Sequence, residues 1–235
     1  MSISENYQHV LSRIALAADR AGRNSNEIKL VAVSKTHPVS AIKEAIKAGC
    51  NIFGENKVQE AEDKIAELGR KAAEWHLIGH LQSNKARKAV QLFDVIHSVD
   101  SVELATRLER ICLEEGRDLL SVLVQVDLAG EETKSGIAEA EMQPLIDVLR
   151  SCERLRFDGL MVLPPFFEAP EAARPYFVRL REIRDRLEAE GAFNDRRGEL
   201  SMGMSHDFEV AIEEGATVVR VGTAIFGERR YNNIG

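Results

Sequence analysis

The chain has 235 residues, of which 44% are hydrophobic and 29% are charged, and its formal net charge is -7. This composition is typical of a folded protein with one large or two small domains, long enough to bury a core without a disulfide or a metal. The 31 Lys and Arg residues are spread along the chain, so no basic patch indicates a nucleic-acid partner.

The N-terminus and the cysteines indicate the cellular compartment. The segment 1–22 has no basic region followed by an apolar run, so it does not resemble a signal peptide. No apolar stretch reaches the roughly 20 residues that a membrane-spanning helix needs. Cys50, Cys112 and Cys152 are far apart and lack the spacing of a metal site, which favours three reduced thiols. We therefore expect a cytoplasmic protein without a membrane partner.

In chain order, the predicted elements begin with an amphipathic helix over Ser4–Arg20, which Gly22 ends. Short apolar segments then alternate with longer helical patterns. The predicted strands are Ile28–Ser34, Asn51–Gly54, Glu74–Ile78, Val95–Ser98, Ser121–Val126, Phe157–Met161, Glu199–Ser201 and Val218–Val221. The predicted helices between them span 38–48, 56–70, 83–91, 101–115, 138–152, 170–190 and 205–214.

This alternation predicts an α/β fold, a (β/α)8 TIM barrel, because strands separated by helices pair in parallel through right-handed crossovers. We expect the first helix to cover the bottom of the barrel. A doubly wound open sheet is the alternative, but no Gly-x-Gly-x-x-Gly follows the first strand, as an open dinucleotide-binding sheet would usually require. No linker divides the chain, so we expect residues 1–235 to form a single domain.

Lys35 is the first candidate functional residue, because function in a barrel is located at the C-terminal ends of the strands. It follows an apolar strand and has no acidic neighbour in sequence. A rim lysine commonly extends into solvent. If it were instead partly desolvated, its pKa would fall and its amine would become a nucleophile towards an aldehyde.

Two turns after the last two strands predict a phosphate site. Ser201–Ser205 and Arg220–Thr223 offer small residues, hydroxyls and backbone N–H groups at the strand ends where barrels commonly bind phosphate. Two ordinary strand-to-helix turns are the alternative. A lysine opposite a phosphate site suits a ligand with an aldehyde and a phosphate. Pyridoxal 5'-phosphate (PLP) has both, and Arg220 could donate a hydrogen bond to its ring nitrogen.

A set of ordered motifs carries a resemblance that covers nearly the whole chain. These motifs are Ala32–Lys35, Phe53–Asn56, Trp75–Lys85, His97–Asp100, Lys134–Gly136, Gly159–Met161, Leu200–Asp207 and Val219–Gly227. Together they resemble the pyridoxal phosphate homeostasis protein family. The resemblance implies a barrel like the N-terminal domain of alanine racemase, which holds PLP as a Schiff base and acts in intracellular PLP homeostasis.

The resemblance also implies roles for single residues. Lys35 would be the Schiff-base lysine and Arg220 the partner of the ring nitrogen. The phosphate would be bound by Ser201, Gly222 and Thr223, and the other neighbours of the cofactor would be Asn56 and Met202. Lys134 matches a lysine implicated in secondary PLP attachment, with a solvated loop lysine as the alternative. The segment Val162–Phe167 departs from the family pattern, which puts the loop after the sixth predicted strand in doubt.

The remaining question is whether the protein is a carrier or an enzyme. Racemisation needs a base on each face of the cofactor. In the racemases that the fold resembles, a tyrosine from an additional domain supplies one of them; here we expect only Tyr231 to approach the barrel mouth. A cationic Arg220 would also weaken the ring as an electron sink. We therefore expect a monomeric, non-catalytic PLP carrier whose partners are PLP and PLP-dependent apo-enzymes. A weak amino-acid racemase and an aldolase-type enzyme are the alternatives.

Overall fold

The computed structural model describes residues 2–130, 135–194 and 196–228. Its strands are β1 (Lys29–Val33), β2 (Ile52–Glu55), β3 (Glu74–Leu77), β4 (Val95–Val99), β5 (Leu120–Asp127), β6 (Ile137–Ala138), β7 (Leu155–Val162), β8 (Glu199–Met204) and β9 (Val218–Val221). Its helices are α1 (Ile3–Arg20), α2 (Val39–Lys47), α3 (Val58–Leu68), α4 (Ala86–Leu92), α5 (Val102–Glu114), α6 (Met142–Ser151), α7 (Arg174–Ala189), α8 (Phe208–Glu213) and α9 (Thr223–Phe226).

The strands form a closed parallel barrel. Around the ring the order is β1, β2, β3, β4, β5, β7, β8 and β9, and β9 pairs with β1 to complete it. The two-residue strand β6 lies beside β5, outside the ring, and was not predicted. The predicted barrel is therefore confirmed, and the open sheet is excluded because both edges of the sheet are joined.

Helix α1 lies against the outer helices and not across the barrel bottom, where the sequence predicts it. It packs against α2, α8 and α9, and its Arg13 and Arg20 form ion pairs with Glu209 and Glu213 of α8. The Tyr7 hydroxyl donates to the carbonyl of Gly49 after α2. The apolar stripe of α1, which includes Tyr7, Val10 and Ile14, is buried against these helices.

Strand alternation separates two cores. Leu30 and Ala32 of β1 face outward and join the apolar core between the strands and the helices, whereas Val31 and Val33 face the barrel interior. Val31 packs closely on the neighbouring strand β2, because a Cβ on Gly54 would lie 2.8 Å from Cγ1 of Val31. By the same alternation, the interior also holds His76, His97, Ser201 and Arg220, all of them buried.

Strand β8 is longer than predicted. The sequence predicts an end at Ser201 followed by a turn, but the strand continues to Met204 with an irregular pairing to β9 between Ser201 and Met204. Gly203 makes this possible with a φ of +90° and a backbone so close to α8 that a Cβ would lie 2.6 Å from that of Ala211. Helix α8 consequently starts at Phe208 rather than at Ser205.

Three properties of the described residues (2–130, 135–194 and 196–228) concern the predictions about membrane helices, metal sites and cysteines. No helix there is long and apolar enough to cross a membrane. No cluster of His, Cys, Asp or Glu there could hold a metal ion. Cys50, Cys112 and Cys152 are free thiols, as the sequence predicts.

Candidate cofactor site

Lys35 lies at the C-terminal end of β1, at the mouth of the barrel. It comes two residues after Val33 and is next in the alternation that turns Val31 and Val33 inward. Its side chain is half-buried. The following residue, Thr36, has a φ of 67°, so the backbone leaves the strand in a left-handed turn directly after the lysine. Lys35 therefore lies at the mouth, and the chain after the turn continues outward to α2.

A partly buried network, which we call the β1 clamp, fixes the residues on both sides of Lys35. It consists of Ser34, Thr36, Glu55, Glu60 and Lys64. Lys64 Nζ donates to the Ser34 carbonyl at 2.7 Å, to Glu55 Oε1 at 2.8 Å and to Glu60 Oε1 at 2.6 Å. The Ser34 hydroxyl donates to Glu55, and the Thr36 amide donates to Glu60. Two carboxylates and one ammonium thus hold the backbone that carries Lys35.

Charges in the β1 clamp are strongly dependent on one another. Glu55 is fully buried and Lys64 is 6% exposed. Burial raises the pKa of Glu55, while Lys64 and Ser34 oppose that rise. Desolvation also acts on Glu60, but hydrogen bonds from Lys64 and the Thr36 amide outweigh it and lower the pKa of Glu60. The ammonium of Lys64 therefore keeps two neighbouring carboxylates in place beneath the barrel mouth.

Arg220 is a buried cation on β9, the strand beside β1. Its Nη1 donates to Ser201 Oγ at 2.5 Å and its Nη2 to the Val162 carbonyl at 2.9 Å. Burial lowers the pKa of Arg220 to about 10, and the charge of Asp207 opposes this shift. Within the part of the chain that the structure describes, no carboxylate forms an ion pair with it. A buried guanidinium held only by neutral acceptors favours an anionic or electron-rich ligand nearby.

The turn after β9 brings backbone N–H groups to the same end of the barrel. The Gly222 amide donates to Ser205 Oγ at 3.1 Å and the Ala224 amide does so at 3.4 Å. Asp207 accepts from the Met204 amide and so shapes the segment that presents Ser205. Two amides and one hydroxyl converge here, which are groups that bind phosphate oxygens.

Strand pairing brings the predicted residues of β1 and β9 together. Val31 is paired with Arg220 and Ala32 with Val221, so Gly222 lies beside Val33. A Cβ on Gly222 would lie 3.4 Å from the Cβ of Val33. Lys35, Arg220, Gly222 and Thr223 therefore all lie at the C-terminal ends of two neighbouring strands.

Asn56 follows β2 at the same end. Its backbone is in close contact with the loop after β3, because a Cβ on Gly79 would lie 2.3 Å from the Asn56 carbonyl oxygen. Only glycine at position 79 leaves room for the Asn56 backbone in this position. The predicted placement of Asn56 beside the mouth agrees with the structure, whereas its contact with a cofactor stays a prediction.

Ser201 and Met202 both belong to β8, and their contacts with a cofactor stay predictions. Ser201 is fully buried inside the barrel, where it accepts from Arg220, whereas the Gly222 and Ala224 amides donate to Ser205. The side chain of Met202 belongs to the apolar core on the outer face of the strands. The sequence prediction treated Ser201–Ser205 as one turn, whereas in the structure β8 continues to Met204. Lys134 and its predicted secondary role lie outside the described residues.

Comparisons with known proteins agree with this geometry. The chain matches the family described as "Alanine racemase, N-terminal domain" over residues 6–230. It is 44% identical over 231 residues to the pyridoxal phosphate homeostasis protein of Aquifex aeolicus, covering 98% of this chain and 100% of the relative. It is 45% identical over 239 residues to the protein of the same name from Escherichia coli K12, covering 98% of each.

Solved structures show the same relationship. The structure of PipY from Synechococcus elongatus PCC7942 with PLP bound has a TM-score of 0.85 and 41% identity, covering 96% of this chain and all of that one. Alanine racemase from Corynebacterium glutamicum shares the fold, with a TM-score of 0.69, at 18% identity over 99% of this chain and 63% of its own. The resemblance in the sequence is thereby confirmed: the chain belongs to the alanine racemase N-terminal domain family and, within it, to the pyridoxal phosphate homeostasis proteins.

Proposed function

We propose that this protein binds PLP at the barrel mouth and serves in PLP homeostasis as a carrier. The observation that carries the proposal is the placement of Lys35 and the buried Arg220 at the ends of adjacent strands, beside the Gly222 amide. The site offers three groups: a primary amine, a buried cation without an acidic partner among the described residues, and a set of backbone amides. These groups match the aldehyde, the ring nitrogen and the phosphate of PLP. The PLP-bound structure of a 41% identical relative supports the same assignment.

Each group has a separate task in this proposal. Lys35 forms a Schiff base with the aldehyde, in which the amine nitrogen bonds to the aldehyde carbon and one water leaves. Arg220 donates to the ring nitrogen. Gly222 and Thr223 bind the phosphate through their backbone amides, and Ser205 replaces Ser201 as the hydroxyl of the phosphate site. Asn56 borders the ligand on the β2 side.

The carrier role rests on the character of Arg220 and on the tyrosines. A guanidinium beside the ring nitrogen keeps that nitrogen unprotonated, so the bound ring withdraws electrons less strongly than with an acidic partner. Tyr7 lies in α1 and donates to Gly49, and Tyr176 lies in α7 against Phe167 with ring centroids 5.9 Å apart. These two positions support a site without a tyrosine base; Tyr231 lies outside the described residues.

Absorbance spectroscopy tests the site directly. Purified protein mixed with PLP should gain the visible band of a lysine-bound cofactor, and borohydride reduction should fix the label on the peptide containing Lys35. Lys35→Ala should lose both signals, whereas Lys43→Ala, which removes an exposed lysine of α2, should keep them. A Lys35→Ala protein with an unchanged band would refute the assignment.

Turnover and transfer assays separate a carrier from an enzyme. We expect single amino-acid enantiomers to stay enantiomerically pure when incubated with the PLP-loaded protein. A kcat of about 1 per second or more would instead identify a racemase. Loaded protein should also activate a PLP-dependent apo-enzyme. Light scattering should give the mass of one chain, since we propose that residues 1–235 act as a single-domain monomer.

A further inference from the structure

A chain of polar side chains crosses the barrel interior from its N-terminal end to Arg220. Glu74 Oε1 lies 2.8 Å from His76 Nε2, and His76 Nδ1 lies 2.9 Å from His97 Nε2. His97 Nδ1 lies 2.8 Å from Ser201 Oγ, which accepts from Arg220 at 2.5 Å. Strands β3, β4, β8 and β9 each contribute, so barrel closure brings these residues together.

This chain of side chains is sealed from solvent except at one end. His76 and Arg220 are 2% exposed, and His97 and Ser201 are fully buried. Only the carboxylate of Glu74, with 44% of its side chain exposed, reaches the surface. Buried imidazoles are costly unless every donor meets an acceptor, so the contacts to Glu74 and Ser201 at the two ends of the histidine pair matter for stability.

The two ends restrict the direction of the hydrogen bonds. A guanidinium can only donate and a carboxylate can only accept. The hydrogen bond from His76 lowers the pKa of Glu74, and burial lowers the pKa of His97 well below its usual value, which favours a neutral ring. With both imidazoles neutral, one arrangement satisfies every contact: Arg220 donates to Ser201, Ser201 to His97 Nδ1, His97 Nε2 to His76 Nδ1, and His76 Nε2 to Glu74.

We propose that Glu74, His76, His97 and Ser201 form a directed hydrogen-bond relay that positions Arg220 for the ring nitrogen of bound PLP. The relay turns the Ser201 hydroxyl hydrogen towards His97, and this leaves the oxygen lone pairs of Ser201 to Arg220. Ser201 and the Val162 carbonyl then hold both Nη atoms of the guanidinium. Ser201, His97, His76 and Glu74 are positioning residues, and the claim about PLP rests on the function proposed above.

Histidine tautomers test the relay without any cofactor. In ¹⁵N–¹H correlation spectra of the PLP-free protein, His76 and His97 should both carry hydrogen on Nε2 and none on Nδ1. Replacing the half-exposed terminus, Glu74→Ala, should mix the tautomers of His76 and His97. A hydrogen on Nδ1 of either ring in the wild-type protein, or tautomers unchanged in Glu74→Ala, would overturn the direction of the relay.

Cofactor binding tests the effect on Arg220. Ser201→Ala and His97→Phe should each weaken PLP binding about ten-fold, because each removes support from a charge-assisted hydrogen bond. Both should shift the visible band in the same direction, and Ser201→Thr, which keeps the hydroxyl, should restore it. Tyr7→Phe is the matched control, since it removes a buried hydroxyl outside the barrel interior and should leave the band unchanged.

These experiments distinguish a failure of the proposed relay from a failure of the proposed PLP binding. If Ser201→Ala and His97→Phe bind PLP with the affinity and band of the wild type, the positioning role is refuted while PLP binding stands. If the wild-type protein gains no visible band with PLP, the proposed function fails, and the tautomers of His76 and His97 still decide whether the relay exists. If His97→Phe does not fold, Ser201→Ala and Glu74→Ala decide the same question.

Discussion

Replacing Lys64 by methionine should destabilise the protein far more than the loss of an ordinary ion pair. In the folded state, Lys64 Nζ donates three hydrogen bonds, at 2.7, 2.8 and 2.6 Å, and two of their acceptors are the carboxylates of Glu55 and Glu60. Glu55 is fully buried, and its Oε2 already lacks a hydrogen-bond partner. Methionine would fill a similar volume but leave Glu55 as an uncompensated buried charge.

The magnitude follows from the burial of this pair. Removing one partner of a buried ion pair costs about 3–5 kcal/mol. For a protein of this length, each kcal/mol lowers the melting temperature by about 2–4 °C, so Lys64→Met should melt roughly 6–20 °C below the wild type. Lys43→Met is the matched control, because it breaks the Lys43–Glu67 pair, whose side chains are 52% and 58% exposed. That change should cost less than about 1 kcal/mol.

Denaturant unfolding of four proteins completes the test. The double variant Lys64→Met/Glu55→Gln should recover much of the lost stability, since it removes the charge that Lys64 compensates. Lys64→Met should also bind PLP more weakly, because the β1 clamp holds Ser34 and Thr36 on either side of Lys35. A stability loss within about 1 kcal/mol of the Lys43→Met control would refute the reasoning. It would mean that Glu55 finds another cation or reaches water.

Three further predictions address the pH dependence, the phosphate site and the mouth. Burial raises the folded-state pKa of Glu55 above its ordinary 4.5. The stability that Glu55 contributes to the folded state is therefore full below about pH 4.5 and is lost as the pH rises through the folded-state pKa. Lys64→Met should deepen this loss of stability in thermal melts recorded across pH, because Lys64 opposes the rise in the pKa of Glu55. Ser205→Ala should weaken PLP binding about ten-fold in titrations, because a hydroxyl of the proposed phosphate site is lost. The control Ser12→Ala, which removes an exposed hydroxyl of α1, should leave the affinity for PLP unchanged. Equal affinities of the two variants would exclude Ser205 from the phosphate site. Gly79→Ala should lower the free energy of unfolding by about 1–3 kcal/mol in denaturant titrations, because its Cβ would lie 2.3 Å from the Asn56 carbonyl oxygen. An unchanged free energy of unfolding would show that the Asn56 loop can move away from the added methyl group.

Local pattern was enough to predict the barrel and the position of two candidate site residues. Alternating apolar segments and helical periodicities depend only on neighbouring residues, and the rules for connecting parallel strands are general. Each predicted strand corresponds to a strand of the closed ring. Lys35 and Arg220 could be placed at one end of the barrel because each belongs to a strand whose direction follows from the parallel pairing.

The same pattern could not separate Ser201 from Ser205. Their positions depend on β8 continuing past Ser201 with an irregular pairing to β9 and on Gly203 packing against α8. These contacts join residues far apart in the chain, so no local period records them. The side chain of Met202 lies in the outer core for the same reason, since Met202 belongs to the extended strand.

Residue patterns along the chain were enough to predict the eight ring strands, their parallel closure, and a lysine and an arginine at the strand ends. The surroundings of these two residues are seen only in the closed fold. The β1 clamp joins β2 and α3 beneath Lys35, and the relay joins positions 74 and 220 across the barrel. Buried polar groups must find partners wherever the closed fold brings them, and those partners are set by three-dimensional packing rather than by spacing along the chain.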